Sequence, residues 1–192
     1  MTQIVYDGRF LLADQKCFRG NALIRATKLC TSIKYDVQRY WAFSGSFLEC
    51  TLGDAVVRSG FDESEIERVR QLMPYEDLQI FNGLMVEVTA DGRKVYLLNY
   101  SGERIEVTNN QFIAVGAMHQ EITYAYNTWQ QCAKALSVNP DTMFCQNPDD
   151  EDAQLLALSN FLRFTLAGTE YDQAGWHYDG YDFAKGGKYR CI

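Results

Sequence analysis

Turn dipeptides that recur between β-rich runs are the feature that most constrains the fold of this 192-residue chain. Three of them separate runs rich in β-branched and aromatic residues: Asp7-Gly8, Asp91-Gly92 and Ser101-Gly102. Asp-Gly supplies the positive φ angles of a two-residue hairpin turn, so residues 3–6 and 9–13 are predicted to pair as a hairpin. By the same argument, residues 78–117 are predicted to form an antiparallel meander.

Four segments carry apolar residues at three- and four-residue spacing, which predicts helices with one buried face. They cover residues 47–60, 62–73, 119–136 and 151–167. Strands and helices therefore fall in separate blocks, which favours an α+β fold over alternating βαβ units. We expect two antiparallel sheets covered by helix pairs, in a single domain that spans residues 1–192.

Composition excludes several classes of function. Hydrophobic residues make up 47% of the chain, which is typical of a globular protein. The net charge of −7, without a basic stripe, argues against nucleic-acid binding. We find no apolar run of about eighteen residues and no signal-peptide pattern, so neither a membrane span nor export is expected. Six cysteines without a CxxC pair, and only two histidines, predict reduced thiols in a cytoplasm and neither a metal site nor another cofactor.

The residue pair Met1-Thr2 has a chemical consequence at the N-terminus. A threonine hydroxyl is a weak nucleophile until a base takes its proton, and a free α-amino group with a pKa of about 7.7–8.0 can be that base. Cytosolic methionine aminopeptidase removes Met before a small residue, so Thr2 is predicted to become a catalytic N-terminus.

Motifs in the first quarter of the chain strengthen this interpretation by resemblance. The opening TQIVYDGRFLLADQK is similar to the start of the proteasome β-type subunits and of the HslV-type peptidase, where a catalytic threonine leads through a hairpin to an acid. Asp14 stands at the place of that acid. Lys28, in ATKLCTSI, matches the family's lysine, and FSGSF, residues 43–47, matches its glycine motif before the first long helix.

The resemblance continues in the same order further along the chain. The segment FIAVGAMHQEITYAYNTW, from residue 112, is similar to the strand that enters the family's third helix, and EYDQAGW, residues 170–176, follows its last helix. The chain is thus identified as a member of the proteasome β-type and HslV-type threonine peptidases, with a divergent bacteriophage-encoded form as one possibility within that family.

This membership implies a fold and a set of roles. The fold would be the four-layer αββα sandwich of the N-terminal-nucleophile (Ntn) hydrolases. Thr2 would be the nucleophile, Lys28 would lower its pKa, and Asp14 would orient Lys28. The backbone N–H of Gly45 would form the oxyanion hole, and Asp172 would support the terminal amine.

The resemblance also implies partners, and alternatives stay open. It implies a polypeptide substrate, a homo-oligomeric ring and an ATPase unfoldase as partner. A second interpretation is a catalytically silent structural or interaction protein on the same fold, which is favoured by Ala117 in place of the family's serine. A third is an Ntn amidohydrolase that acts on a small amide.

Overall fold

The computed structural model describes residues 2–19, 22–109, 111–139, 152–169 and 177–191. The first of two five-stranded antiparallel sheets contains the first and the last of the described strands. Its strands, numbered in chain order and given in spatial order, are β10 (Ile113–Gly116), β1 (Gln3–Tyr6), β2 (Phe10–Asp14), β11 (Tyr178–Asp182) and β12 (Lys188–Cys191). The predicted hairpin is confirmed, because β1 pairs with β2 and places Ile4 opposite Ala13.

The second sheet is a meander in which the spatial order follows the chain order. Its strands are β5 (Cys30–Lys34), β6 (Val37–Phe43), β7 (Gly83–Thr89), β8 (Gly92–Leu98) and β9 (Arg104–Val107). Thr89 pairs with Gly92, so the hairpin is present, but its two loop residues are Ala90 and Asp91. Gly92, predicted as a turn residue, is the first residue of β8.

A third sheet consists of two strands only, β3 (Lys16–Arg19) and β4 (Ala22–Arg25). It lies in the chain between β2 and β5, and every residue of β4 is exposed. Because a two-stranded ribbon has little apolar surface to bury, it depends on its neighbours for stability.

Five α-helices are described: α1 (Phe47–Ser59), α2 (Glu63–Leu72), α3 (Tyr75–Leu78), α4 (His119–Leu136) and α5 (Ala153–Leu166). The four longer ones confirm the predicted helices to within three residues at each end. A capping box fixes the start of α1: the Ser46 hydroxyl accepts from the Glu49 N–H, while the Glu49 carboxylate accepts from the Ser46 N–H. Gly60 ends the helix in the left-handed conformation.

Three buried clusters form the core. One joins the two large sheets and includes Ile4, Leu11 and Leu84. A second joins the second sheet to α1 and α2, and a third joins the first sheet to α4 and α5. Each fully buried aliphatic side chain stabilises the fold by about 1.5–3 kcal/mol.

The expected αββα sandwich of two sheets flanked by helix pairs is wrong for this chain. The described residues form three antiparallel sheets, because the ribbon of β3 and β4 is separate from both larger ones. They also form a fifth, four-residue helix, α3, directly after Pro74. Among the described residues, no helix has both the length and the apolar composition needed to cross a membrane.

Candidate functional site

Thr2 lies at the entrance to β1 and is almost enclosed, with 6% of its surface exposed. Two groups from other parts of the chain hold its carbonyl oxygen. The Ala117 N–H donates to it at 3.1 Å, and the Ser44 hydroxyl donates to it at 3.1 Å. The backbone of the predicted nucleophile is therefore fixed from both large sheets. Met1, on whose removal the prediction depends, lies outside the described residues.

Asp14, the last residue of β2, is fully buried and accepts hydrogen bonds on both carboxylate oxygens. The Gln3 N–H donates to Oδ1 at 2.6 Å, and the Lys16 N–H donates to Oδ2 at 3.0 Å. The Lys28 ammonium adds an ion pair to Oδ2 at 2.7 Å. These donors compensate the cost of burying the carboxylate.

Lys28 lies in the segment between β4 and β5, with its side chain only 10% exposed. Besides the Asp14 carboxylate, its ammonium donates to the Lys16 carbonyl at 2.6 Å. The ribbon of β3 and β4 connects Asp14 to Lys28 and brings its own Lys16 backbone to both of them. The structure therefore places Asp14 and Lys28 together, and it links the pair to the backbone of the residue that follows Thr2.

Gly45 lies in the turn between β6 and α1, and its φ of 155° is one that residues with a side chain rarely adopt. A Cβ at this position would also collide with the Tyr100 hydroxyl and the Glu49 carboxylate. Gly45 is exposed, and no described residue provides an acceptor for its N–H. This N–H is therefore available to a ligand, as an oxyanion donor must be.

Asp172 lies outside the described residues, and its predicted role stays a prediction. The roles predicted for Thr2, Asp14, Lys28 and Gly45 also stay predictions, although the structure gives the positions of all four.

Sequence reasoning missed the residues that surround Gly45. Tyr100 donates from its hydroxyl to the Ser44 carbonyl at 2.5 Å, and Asn82 donates to the Tyr100 hydroxyl at 3.3 Å. Ser44 lies inside the motif FSGSF, directly before Gly45, which is a weak signal. Tyr100 lies 56 residues further along the chain and has no sequence feature that connects it to Gly45.

Two cysteines near this region have thiols whose pKa is raised in the folded protein. Burial raises the pKa of the Cys50 thiol to about 11, and the Glu49 carboxylate adds to this rise. Burial likewise raises the pKa of Cys30 to about 11, with Asp54 adding to it. A thiol in this state carries almost no thiolate at neutral pH. Among the described residues, no group of three or more His, Cys, Asp or Glu side chains could hold a metal ion.

Comparison with known proteins gives a match at the level of fold. No family model matches the chain, and no curated protein matches it. Two similar solved structures are Anbu from Hyphomicrobium sp. strain MC1 and its Gly-1 mutant. The mutant has a TM-score of 0.55 and 13% identity, over 95% of this chain and 83% of that chain. The other structure has a TM-score of 0.54 and 9% identity, over 95% of this chain and 82% of that chain.

These findings correct the identification made from the sequence. Membership in the proteasome β-type and HslV-type threonine peptidases, or in a bacteriophage-encoded branch of them, is wrong on this comparison, because no family model matches and the two structures above are Anbu proteins. What the similarity supports is a fold like that of these two Anbu structures.

Proposed function

We propose that the chain is a threonine-type peptidase in which Thr2, once exposed as the N-terminal residue, attacks a peptide carbonyl. The observation that carries the proposal is the buried ion pair beside the nucleophile. Asp14 binds the Lys28 ammonium and also accepts the N–H of Gln3, the residue bonded to Thr2. This buried ion pair is hydrogen-bonded to the N–H of the peptide bond that follows Thr2, as well as to the backbone of Lys16. A buried charge pair at this position supports a reaction at Thr2.

The reaction follows from these groups. The freed α-amine of Thr2 takes the proton of its own hydroxyl, and the oxygen attacks the substrate carbonyl. The positive charge of Lys28 favours the developing alkoxide, and Asp14 keeps Lys28 in place. The Gly45 N–H stabilises the oxyanion. The amine then protonates the leaving group, and water hydrolyses the remaining ester.

The partners of this proposal are those that the family resemblance implies. The substrate is a polypeptide, and the chain acts in a cytoplasm, where methionine aminopeptidase removes Met1. A ring of identical chains fed by an ATPase unfoldase is the assembly we propose. Large apolar side chains on the helices support an assembly of this kind, because Tyr124 is 75% exposed and Phe164 is 73% exposed.

Substitution of the nucleophile tests the proposal. Thr2→Ala should reduce turnover of a fluorogenic peptide to the background rate, with an unchanged melting temperature. Thr128→Ala is the matched control, because it removes the same hydroxyl from an exposed position where it only binds the Tyr124 carbonyl of its own helix. Parental turnover in Thr2→Ala would contradict the mechanism.

A non-catalytic interaction protein on the same fold is the second candidate. Ala117 favours it, because this residue gives Thr2 a backbone N–H and has no side-chain donor to assist catalysis. The low exposure of Thr2 favours it as well. Retention of Met1 in the mature protein would favour this second candidate. The Thr2 nitrogen would then remain part of a peptide bond and could not act as the base.

A further inference from the structure

The peptide unit between Ser44 and Gly45 is held at its carbonyl end. Tyr100 follows β8, is 1% exposed, and donates its hydroxyl to the Ser44 carbonyl at 2.5 Å. The same hydroxyl accepts from the Asn82 amide at 3.3 Å. Both the donor and an acceptor site of the phenol are thus occupied, which fixes the direction of its O–H.

A constraint on this carbonyl is also a constraint on the Gly45 N–H. The two groups belong to one planar trans peptide and point in opposite directions. When Tyr100 fixes the direction of the Ser44 C=O, the direction of the Gly45 N–H is set. A glycine has wide rotational freedom, so an external hydrogen bond is needed to hold this N–H in one orientation.

Ser44 connects the same peptide unit to the nucleophile. Its hydroxyl donates to the Thr2 carbonyl at 3.1 Å, and its N–H donates to the Asn82 carbonyl at 2.8 Å. Asn82 thus contacts both Ser44 and Tyr100. These hydrogen bonds set the position of the Gly45 N–H relative to Thr2.

We infer that Tyr100 is a positioning residue that aims the Gly45 N–H at the oxyanion formed when Thr2 attacks. The inference rests on the proposed function, because it requires Thr2 to react. Tyr100 does not touch substrate. It acts through Ser44, and its hydroxyl contributes to the rate and not to substrate affinity.

The protonation state of Tyr100 is suited to this task. Burial raises the pKa of its phenol well above the ordinary value. The hydroxyl therefore stays protonated, and remains a donor, throughout the range in which the Thr2 amine changes from ammonium to base. Tyr100 therefore adds no ionisation of its own to that of the amine over this pH range.

Tyr100→Phe isolates the hydroxyl, because the ring and its packing against Phe43 remain. Tyr96→Phe is the matched control. Tyr96 is also almost fully buried, in the same core cluster as Tyr100, and its hydroxyl has no hydrogen-bond partner among the described residues. We expect Tyr100→Phe to lower kcat by about 10- to 100-fold with KM within about twofold, less than the full loss of an oxyanion donor. Tyr96→Phe should change neither constant more than about twofold.

A second variant covers the case in which Tyr100→Phe folds poorly. Asn82→Ala removes the donor to the Tyr100 hydroxyl and leaves the Asn82 backbone carbonyl for the Ser44 N–H. We expect it to lower kcat in the same direction by about three- to tenfold, since it removes one outer hydrogen bond. Unchanged kcat in both variants would overturn the inference.

Two reagents then separate the inference from the proposed function. A peptide boronate forms a tetrahedral adduct whose hydroxyl occupies the oxyanion position, whereas a peptide vinyl sulfone alkylates the nucleophile without forming an oxyanion at a carbonyl. With Met1 removed, both should react at Thr2, as read by mass spectrometry. Tyr100→Phe should weaken boronate affinity at least about tenfold and leave vinyl sulfone labelling unchanged.

Equal boronate affinity in the parent and in Tyr100→Phe would overturn the inference and leave the proposed function intact. Failure of both reagents to modify the parent at Thr2 would overturn both.

Discussion

Thr2 lies between two regions that satisfy their polar groups in different ways. On one side, the charged region of Asp14 and Lys28 buries an ion pair and surrounds it with backbone hydrogen-bonding groups. On the other side, the neutral region of Ser44, Asn82 and Tyr100 contains only hydroxyl, amide and backbone groups. The charged region can alter the proton affinity of the proposed nucleophile, whereas the neutral region can only set the direction of the Gly45 N–H.

The difference also affects stability. A buried charge that loses its partner remains as an uncompensated ion, which lowers the free energy of unfolding strongly. A buried neutral group that loses a hydrogen-bond partner lowers it by a fraction as much. We therefore expect the charged region to tolerate substitution poorly and the neutral region to tolerate it moderately.

Lys28→Met should have the largest effect. It leaves the Asp14 carboxylate fully buried without its cation, so we expect a loss of about 3–5 kcal/mol in the free energy of unfolding, measured by urea denaturation. Lys94→Met is the control, because its ion pair with Glu106 joins side chains that are 58% and 55% exposed, and it should change stability by less than about 1 kcal/mol. Equal losses in the two variants would remove the distinction between the regions.

Tyr100→Phe should have an intermediate effect on stability. It removes one neutral hydrogen bond and leaves the Ser44 carbonyl without that donor, so we expect a loss of about 1–2 kcal/mol in the free energy of unfolding. The same denaturation experiment measures it, with Tyr96→Phe as the control. A loss as large as that of Lys28→Met would show that the neutral region is the main support of the fold.

The hairpin that leads to the site and the helix that follows it could be predicted because their signals are local. An Asp-Gly turn lies between β1 and β2, and α4 begins and ends where its apolar periodicity does. The ribbon of β3 and β4 was missed as a separate sheet. All four β4 residues are exposed, so the segment lacks the alternation by which a strand is recognised. Helix α3 was missed because four residues after a proline do not complete two turns.

The same distinction applies to the candidate site. Asp14 and Lys28 lie 14 residues apart, and the contact between them is one that the family resemblance implies. Tyr100 reaches Ser44 from the end of a different strand, and only tertiary structure shows the contact. Charged residues near a candidate N-terminal nucleophile can be singled out from the sequence as candidate site residues. In the sequence alone, Tyr100 cannot be distinguished from the other aromatic residues of the core.

The thiol of Cys50, which packs against the same core cluster as Tyr100, provides a smaller test of how well the neutral region is buried. Its Sγ donates to the Phe43 carbonyl, and burial raises its pKa to about 11. The thiolate fraction stays low until the pH approaches that value, so iodoacetamide at pH 8 should label Cys50 far more slowly than the exposed Cys132. Peptide mass mapping of the folded protein measures both rates. Equal labelling rates would show that the Cys50 thiol is open to water and able to ionise.

Glu49→Gln should have the smallest effect. The Glu49 carboxylate caps α1 beside Gly45 and places a negative charge close to the proposed oxyanion. Glutamine can keep the capping hydrogen bond and removes the charge, so kcat should rise by about two- to fivefold. A fall in kcat would instead assign Glu49 a direct part in the reaction.

The central claim is that Thr2 becomes a free N-terminal nucleophile. The most direct test is the intact mass of the protein purified from a cytoplasm with active methionine aminopeptidase, before and after incubation with the peptide vinyl sulfone. We expect a mass that lacks Met1, and a single adduct that maps to Thr2 and is absent from Thr2→Ala. A mass that retains Met1, with no adduct at Thr2, would contradict the claim and leave the non-catalytic interaction protein as the remaining proposal.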